Sequence, residues 1–201
     1  MSKGIIVVDA GHGQFGNPHT TKEGFYEGTQ NYILACFLKE ELEKLGFTVL
    51  LTREKVTDDP ALDARGKLAG ENNAIMFLSL HSNAPGTAAT PERYPRIRGA
   101  ETFYSVTDEE KNARIARIMN DAVVKAMNTE DRGIKTRRHP DDENLDYYSV
   151  IRNAALSGCR QAFLIEHGFH TNPEDSAVLQ DSEALKRLAK AEAEAIEKAC
   201  S

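Results

Sequence analysis

The chain has 201 residues, and its 25 Lys and Arg against 31 Asp and Glu leave a formal net charge of −6. A compact domain of this size buries roughly 70% of its unfolded surface and folds without staples, while an acidic chain lacks the bulk attraction that draws basic proteins to nucleic acid or anionic lipid. No apolar run approaches the ~20 residues that span a bilayer, and the apolar stretch Ile5–Val8 meets Asp9 at once, too short for the core of a secretion signal. The expectation is one domain over residues 1–201, made in the cytoplasm, with no transmembrane segment, no nucleic-acid partner and no oligomeric state legible. Cys36, Cys159 and Cys200 are widely spaced and form no CxxC, so they read as buried free thiols.

Short apolar runs alternate with segments of helical period, the pattern of an α/β fold with a mostly parallel central sheet flanked by helices. Gly4–Ala10 reads as the first strand. Asn31–Leu45 reads as a helix with Leu34, Leu38, Leu42 and Leu45 on one stripe and Gly46 behind it. A second strand is expected at Phe47–Arg53, a helix around Ala61–Gly70 and a third strand at Ala74–His81. The first and third strands, apolar without alternation, are expected to be central. Ala84–Arg98, with three prolines and no period, reads as a long surface loop. A strand at Gly99–Val106 and a helix at Glu110–Met127 follow, the helix turning Ile115, Ile118, Met119, Ala122 and Ala126 inward. After the polar stretch Asn128–Asp146 comes a last buried strand, Ala162–His167. Pro173 after Asn172 marks a helix start, and Ser182–Ala199 reads as a closing amphipathic helix whose exposed face alternates Lys and Glu.

Metal-competent groups stand at the ends of three apolar runs: Asp9 and His12 after the first strand, His81 at the end of the third, and Glu166 near the end of the last. Open α/β sheets bind ligands outside the carboxyl ends of their strands, so the fold would gather these groups at one edge. Metal-assisted hydrolysis asks for about three His, Asp or Glu ligands, a further position left open, and a nearby carboxylate to move the proton. His12 and His81 supply two nitrogens. Glu23 and Glu27 are the acidic candidates for the third ligand; Glu27, at the edge of a helix, would be held more firmly.

In chain order, VVDAGHG at 7–13, EGTQN at 27–31, GFTVLLTRE at 46–54, LDARGKLAG at 62–70, FLSLHSNA at 77–84, GAETFYS at 99–105, RGIK at 132–135 and FLIEHGFHTNPED at 163–175 resemble the zinc-dependent N-acetylmuramoyl-L-alanine amidases of the amidase-3 type. The resemblance implies one zinc ion bound by His12, Glu27 and His81, with Glu166 as the catalytic carboxylate. It further implies peptidoglycan as substrate, cut at the amide between N-acetylmuramic acid and L-alanine in cell-wall degradation or lysis. Such a chain would act on the wall as a phage lysin released at lysis or as a secreted enzyme without its signal. The alternatives are a zinc amidase or peptidase for another amide, and a non-catalytic wall-binding domain.

One position departs from that pattern: His167 stands where the family usually has a small residue such as Thr, and His170 follows three positions on. A second metal site from this pair is the alternative to a structural role, although strand alternation turns His167 away from Glu166. Asn83 and Arg152 are candidate substrate contacts, and Tyr147 and Tyr148 candidate groove residues. Arg65 and Glu101 read as fold-holding charges, and His19 and His139 as surface histidines. GHGQFG at 11–16 matches a dinucleotide fingerprint in letters, but Asn17 and Pro18 follow where a helix should open, so no nucleotide is expected. The basic runs Arg93–Arg98 and Arg132–His139 read as solvated loops or as contacts to anionic wall components.

Overall fold

The computed structural model describes residues 2–18, 24–86 and 91–200. A six-stranded sheet forms the middle layer, in the order β2-β1-β3-β8-β4-β5. Its strands are β1 (Ile5–Ala10), β2 (Thr48–Leu51), β3 (Met76–Asn83), β4 (Ala100–Tyr104), β5 (Asp131–Lys135) and β8 (Ala162–Phe169). A separate two-stranded hairpin is built from β6 (Arg138–His139) and β7 (Asp142–Asp146). β2, β1, β3 and β8 run parallel, whereas β4 pairs antiparallel with β8 and parallel with β5. The expected α/β architecture is present, with β1 and β3 inside the sheet.

Among the described residues, six helices cover the two faces: α1 (Glu27–Lys44), α2 (Leu62–Glu71), α3 (Glu109–Met127), α4 (Ser149–Leu156), α5 (Pro173–Gln180) and α6 (Ser182–Cys200). Strand alternation sorts the core. Ile6, Val8, Leu78, Leu80 and Ile165 point to the side of α1, α3 and α6, while Val7, Phe77 and Leu164 point to the side of α2 and α4. Gly66 and Gly70 let α2 and α4 touch through their backbones: a Cβ on either would stand 2.4 Å from the Val150 carbonyl or 2.1 Å from that of Ser157. Pro173 opens α5, and the Asn172 side chain caps it by accepting from the amides of Glu174 and Asp175. No helix among the described residues is long and apolar enough to cross a membrane.

The structure departs from the sequence reading in several places. Helix α1 begins a turn earlier than expected, so Glu27 is its first residue. The stretch 128–146 contains β5 and the hairpin, and 149–156 is a helix that the sequence reading leaves out. Within Ala84–Arg98, Pro91–Arg96 form a 3₁₀ turn. On α3, Ile118, Ala122 and Ala126 are only half-buried, and Ala116 and Val123 take the deepest places. Of the three free cysteines Cys159 is buried, Cys36 half-buried and Cys200 exposed, so the thiols are not uniformly internal; burial pushes the Cys159 thiol up to about 12.

Leu188 on α6 is fully buried in the core shared with α1 and α3. Leu188→Ala is expected to lower stability by about 2–5 kcal/mol, read as a shift of the urea midpoint at unchanged m-value.

Candidate active site

The site grows from the turn after β1. His12 adopts φ +63°, the left-handed region that a side chain with a Cβ rarely enters. Two arginines hold the backbone there. Arg53 donates from Nη1 to the carbonyls of His12 at 2.9 Å and Gly28 at 2.8 Å. Arg65 donates to Ala10 O at 2.8 Å and His12 O at 3.2 Å. Both side chains are buried. Asp9 supplies Arg65 with a counter-charge at 2.9 Å and is itself fixed by Thr52 and Ser79, each donating a hydroxyl at 2.6 Å. Asp59 adds a second contact to Arg65 at 2.8 Å. Asp9 thus lies beneath the site as a partner of Arg65, not among the metal-competent donors.

Against this frame, His12, Glu27 and His81 bring one donor atom each to within 4.8 Å of one another, a grouping able to hold a metal ion. Glu27 Oε2 lies 3.4 Å from His12 Nε2, and Glu27 Oε1 lies 3.0 Å from His81 Nδ1. The imidazoles meet edge to face, centroids 4.9 Å apart. Glu27 is buried, and its carboxylate also accepts from Asn17, from Asn31 at 3.2 Å and from the Ser82 amide at 2.9 Å. Burial opposes its charge, yet the hydrogen bonds from His12 and His81 outweigh burial and hold it well below the usual carboxylate range. The same bond to Glu27 raises His12. Gly11 makes room for the cup, since a Cβ there would stand 2.3 Å from the His81 ring.

Glu166 is the register partner of His81 across β3 and β8, and of Glu101 across β8 and β4. All three therefore face the α2 and α4 side of the sheet. The Glu166 Oε2 atom is shielded from solvent and has no hydrogen-bond partner. Burial first, then the charges of Glu27 and Glu101, push its carboxyl well above the ordinary range. Glu101 is bound on its far side by Lys135 and by Asn83 at 2.8 Å, with Arg132 at 3.4 Å.

His167 and His170 lie elsewhere. His167 is buried on the opposite face, with Nδ1 3.0 Å from the His81 carbonyl and Nε2 3.3 Å from Glu192 of α6. His170 Nδ1 meets Ser82 Oγ at 3.0 Å, its amide donates to Asn83 O at 3.1 Å, and its ring stacks on Phe25. The two histidines brace the end of β3 from behind, away from the grouping of His12, Glu27 and His81. Glu192, fully buried within the apolar stripe of α6, is a residue that sequence reasoning missed. Its signal was positional: it stands between Leu188 and Ile196 at helical spacing.

Arg152 donates to the carbonyls of Asp146 at 2.7 Å and Tyr147 at 2.9 Å, holding the turn into α4. Tyr148 packs on Phe103, and Tyr147 lies under the Arg137 guanidinium. His139 is part of β6 and partly exposed. Residues 11–16 form turns and open no helix. His19 and Glu23 lie outside the described residues.

The family model described as N-acetylmuramoyl-L-alanine amidase (Amidase_3) matches residues 6–198. The sporulation-specific N-acetylmuramoyl-L-alanine amidase of Bacillus subtilis (strain 168) is 29% identical over 199 residues, covering 96% of this chain and 67% of that protein. Among solved structures, Cwp6 from Clostridium difficile superposes with a TM-score of 0.82 at 27% identity, over 97% of this chain and 29% of its own. The catalytic domain of CwlV, an N-acetylmuramoyl-L-alanine amidase from Bacillus (Paenibacillus) polymyxa var. colistinus, gives 0.76 at 28% identity, over 98% of this chain and 97% of its own.

Asp9→Ala strands the buried Arg65 charge. It is expected to destabilise by about 3–5 kcal/mol, a fall of about 10 °C in thermal midpoint for a domain of this size. For Glu166 the direction of pH dependence follows from its raised carboxyl. Above the ordinary carboxylate pKa the unfolded chain releases the proton that the folded, metal-free chain keeps, so this residue lowers stability as pH rises. Glu166→Gln should therefore raise the thermal midpoint of metal-free protein at pH 8. The gain should vanish near pH 4; a gain independent of pH would contradict the assignment.

Proposed function

The chain belongs to the amidase-3 family of N-acetylmuramoyl-L-alanine amidases, and from that premise we propose that it hydrolyses the peptidoglycan amide between N-acetylmuramic acid and L-alanine with a zinc ion held by His12, Glu27 and His81. The observation that carries the reading is the meeting of this three-donor cup with the unpartnered oxygen of Glu166 on one face of the sheet. Two imidazole nitrogens and one carboxylate oxygen are ligands zinc accepts, and three protein ligands are the number that leaves a position open. One donor atom from each of the three residues lies within 4.8 Å of the other two, so the residues present fit a single ion. When bound, the ion supplies Lewis-acid polarisation of the amide carbonyl and a lowered pKa for water.

The protein's own groups do the rest. Glu27, ionised and held by three further donors, keeps its oxygens fixed on the two imidazoles. Glu166 accepts the proton of the attacking water at its free oxygen and returns it to the departing nitrogen of L-alanine. Burial, then the charges of Glu27 and Glu101, raise this carboxyl above the ordinary range, the direction that favours carrying a proton to the departing nitrogen. The lactyl carbon gains one C–O bond and loses its C–N bond. The products are a glycan with a free lactyl carboxylate and a peptide with a free N-terminal alanine.

Purified walls treated with the protein should release new N-terminal alanine. Glu166→Gln should retain one zinc per chain and lose about 10²–10⁴ in kcat, whereas His81→Ala should lose both metal and turnover. Wild-type kcat in Glu166→Gln would falsify the role given to Glu166. Anomalous scattering at the zinc edge should peak between His12, Glu27 and His81.

A further inference from the structure

Beyond the ends of β3 and β8 lies a cleft of about 400 Å³ that the hydrolytic chemistry does not use. It begins at Asn83 and Phe169, which are register partners, two residues past His81 and three past Glu166. Residues 84–86, Ile97 and two cations, Arg93 and Arg132, complete its lining. No carboxylate is among the lining residues described.

The two arginines are differently placed. Arg132 lies 4.9 Å over the Phe169 ring, which holds its guanidinium against the apolar floor. Its contact with Glu101 at 3.4 Å is shared, because Lys135 also reaches that carboxylate. Arg93 stands exposed on the 3₁₀ turn, and no ion pair joins it to any described residue. Glu101, Lys135, Arg132 and Arg93 together leave two positive charges in surplus, in a chain whose sum is −6. A planar guanidinium over an apolar wall suits a carboxylate, which it can bind through two parallel hydrogen bonds.

We infer that this cleft binds a free carboxylate of an acidic stem peptide, two or three residues beyond the bond that is cut. The inference rests on the amidase reading, which places the scissile amide beside His81 and Glu166. Two residues of strand from there to Asn83 span roughly 7 Å, and an extended peptide covers that distance in two to three residues. The glycan offers hydroxyl and acetamido groups, which are neutral and bring no counter-charge to the surplus. The cleft thereby makes the enzyme selective for stems whose carboxylates are free over stems in which they are carboxamides.

The test uses two synthetic muramoyl tripeptides, identical except that one carries free side carboxylates and the other their carboxamides. Wild-type zinc enzyme should favour the acid in kcat/KM by on the order of tenfold, with the difference mainly in KM. Arg93→Gln should reduce the ratio, Arg93→Lys should restore part of it, and Arg93→Gln combined with Arg132→Gln should bring it to about one. Equal kcat/KM for the two peptides in wild type, or a ratio that survives in the double variant, overturns the inference. Calorimetric binding of both peptides to Glu166→Gln separates the two readings. Preferential binding of the acid without hydrolysis by wild type removes the amidase reading and leaves the cleft; hydrolysis without preference does the reverse.

Discussion

The carbonyl oxygens of Ala10, His12 and Gly28 are held by two buried guanidinium groups, and the site depends on that grip. Arg53 and Arg65 converge on one short turn, and both bind the His12 carbonyl. Each is a cation removed from water, a cost that only partners at hydrogen-bond distance can offset. Asp9 offsets Arg65 directly. Arg53 has no carboxylate within ion-pair distance among the described residues; its Nη groups donate to carbonyls and its guanidinium lies over the ring of Tyr32, its Nε has no hydrogen-bond partner, and burial lowers its pKa. The turn can therefore take few other shapes, because moving the His12 carbonyl removes a partner from both cations at once. The left-handed backbone of His12 is the local cost of that arrangement.

The sheet then divides the work by parity. Odd-numbered residues of β3 face α2 and α4, and the sequence Ser79, His81 runs from the Asp9 network to the His12, Glu27 and His81 grouping along that face. The even-numbered Ser82 faces the other way, onto His170. His167 continues this logic on β8: one position after Glu166, it turns to the opposite side and meets the His81 carbonyl and Glu192. A donor whose side chain must stay within a few tenths of an ångström of its partners gains from having its own backbone fixed by the face it does not use. The position after Glu166 thus carries an imidazole that reaches α6.

What the sequence discloses follows the same physics. Strands buried on both faces have to be apolar along their whole length, so β1, β3 and β8 announce themselves, and a polar group at the end of such a run stands out. His12, His81 and Glu166 were legible for that reason. Glu27 needed more, because it precedes the apolar stripe of α1 by a turn: its place at the helix edge favoured it over Glu23, and the resemblance pointed the same way. The edge strand β5 carries Asp131, Arg132 and Lys135, with nothing to bury on one side, and leaves no alternation to detect. Helix α4, eight residues long, is too short for a period to emerge from SVIRNAAL. Glu192 was hidden by its company, since the Lys and Glu that surround it on α6 belong to the solvated face.

An acidic protein acting on an acidic polymer faces repulsion on average, and the average is what composition reports. The distribution matters more at short range. Exposed charges beyond about one Debye length, ~8 Å at physiological salt, are largely screened, so the excess of carboxylates elsewhere on the chain contributes little once a stem peptide is in place. At short range Arg132 and Lys135 share Glu101, and Arg93 has no ion-pair partner among the described residues. Raising ionic strength should then weaken the long-range repulsion more than the close contacts on Phe169. A net charge of −6 is thus compatible with an anionic substrate because attraction is needed only along the few residues that flank the bond to be cut.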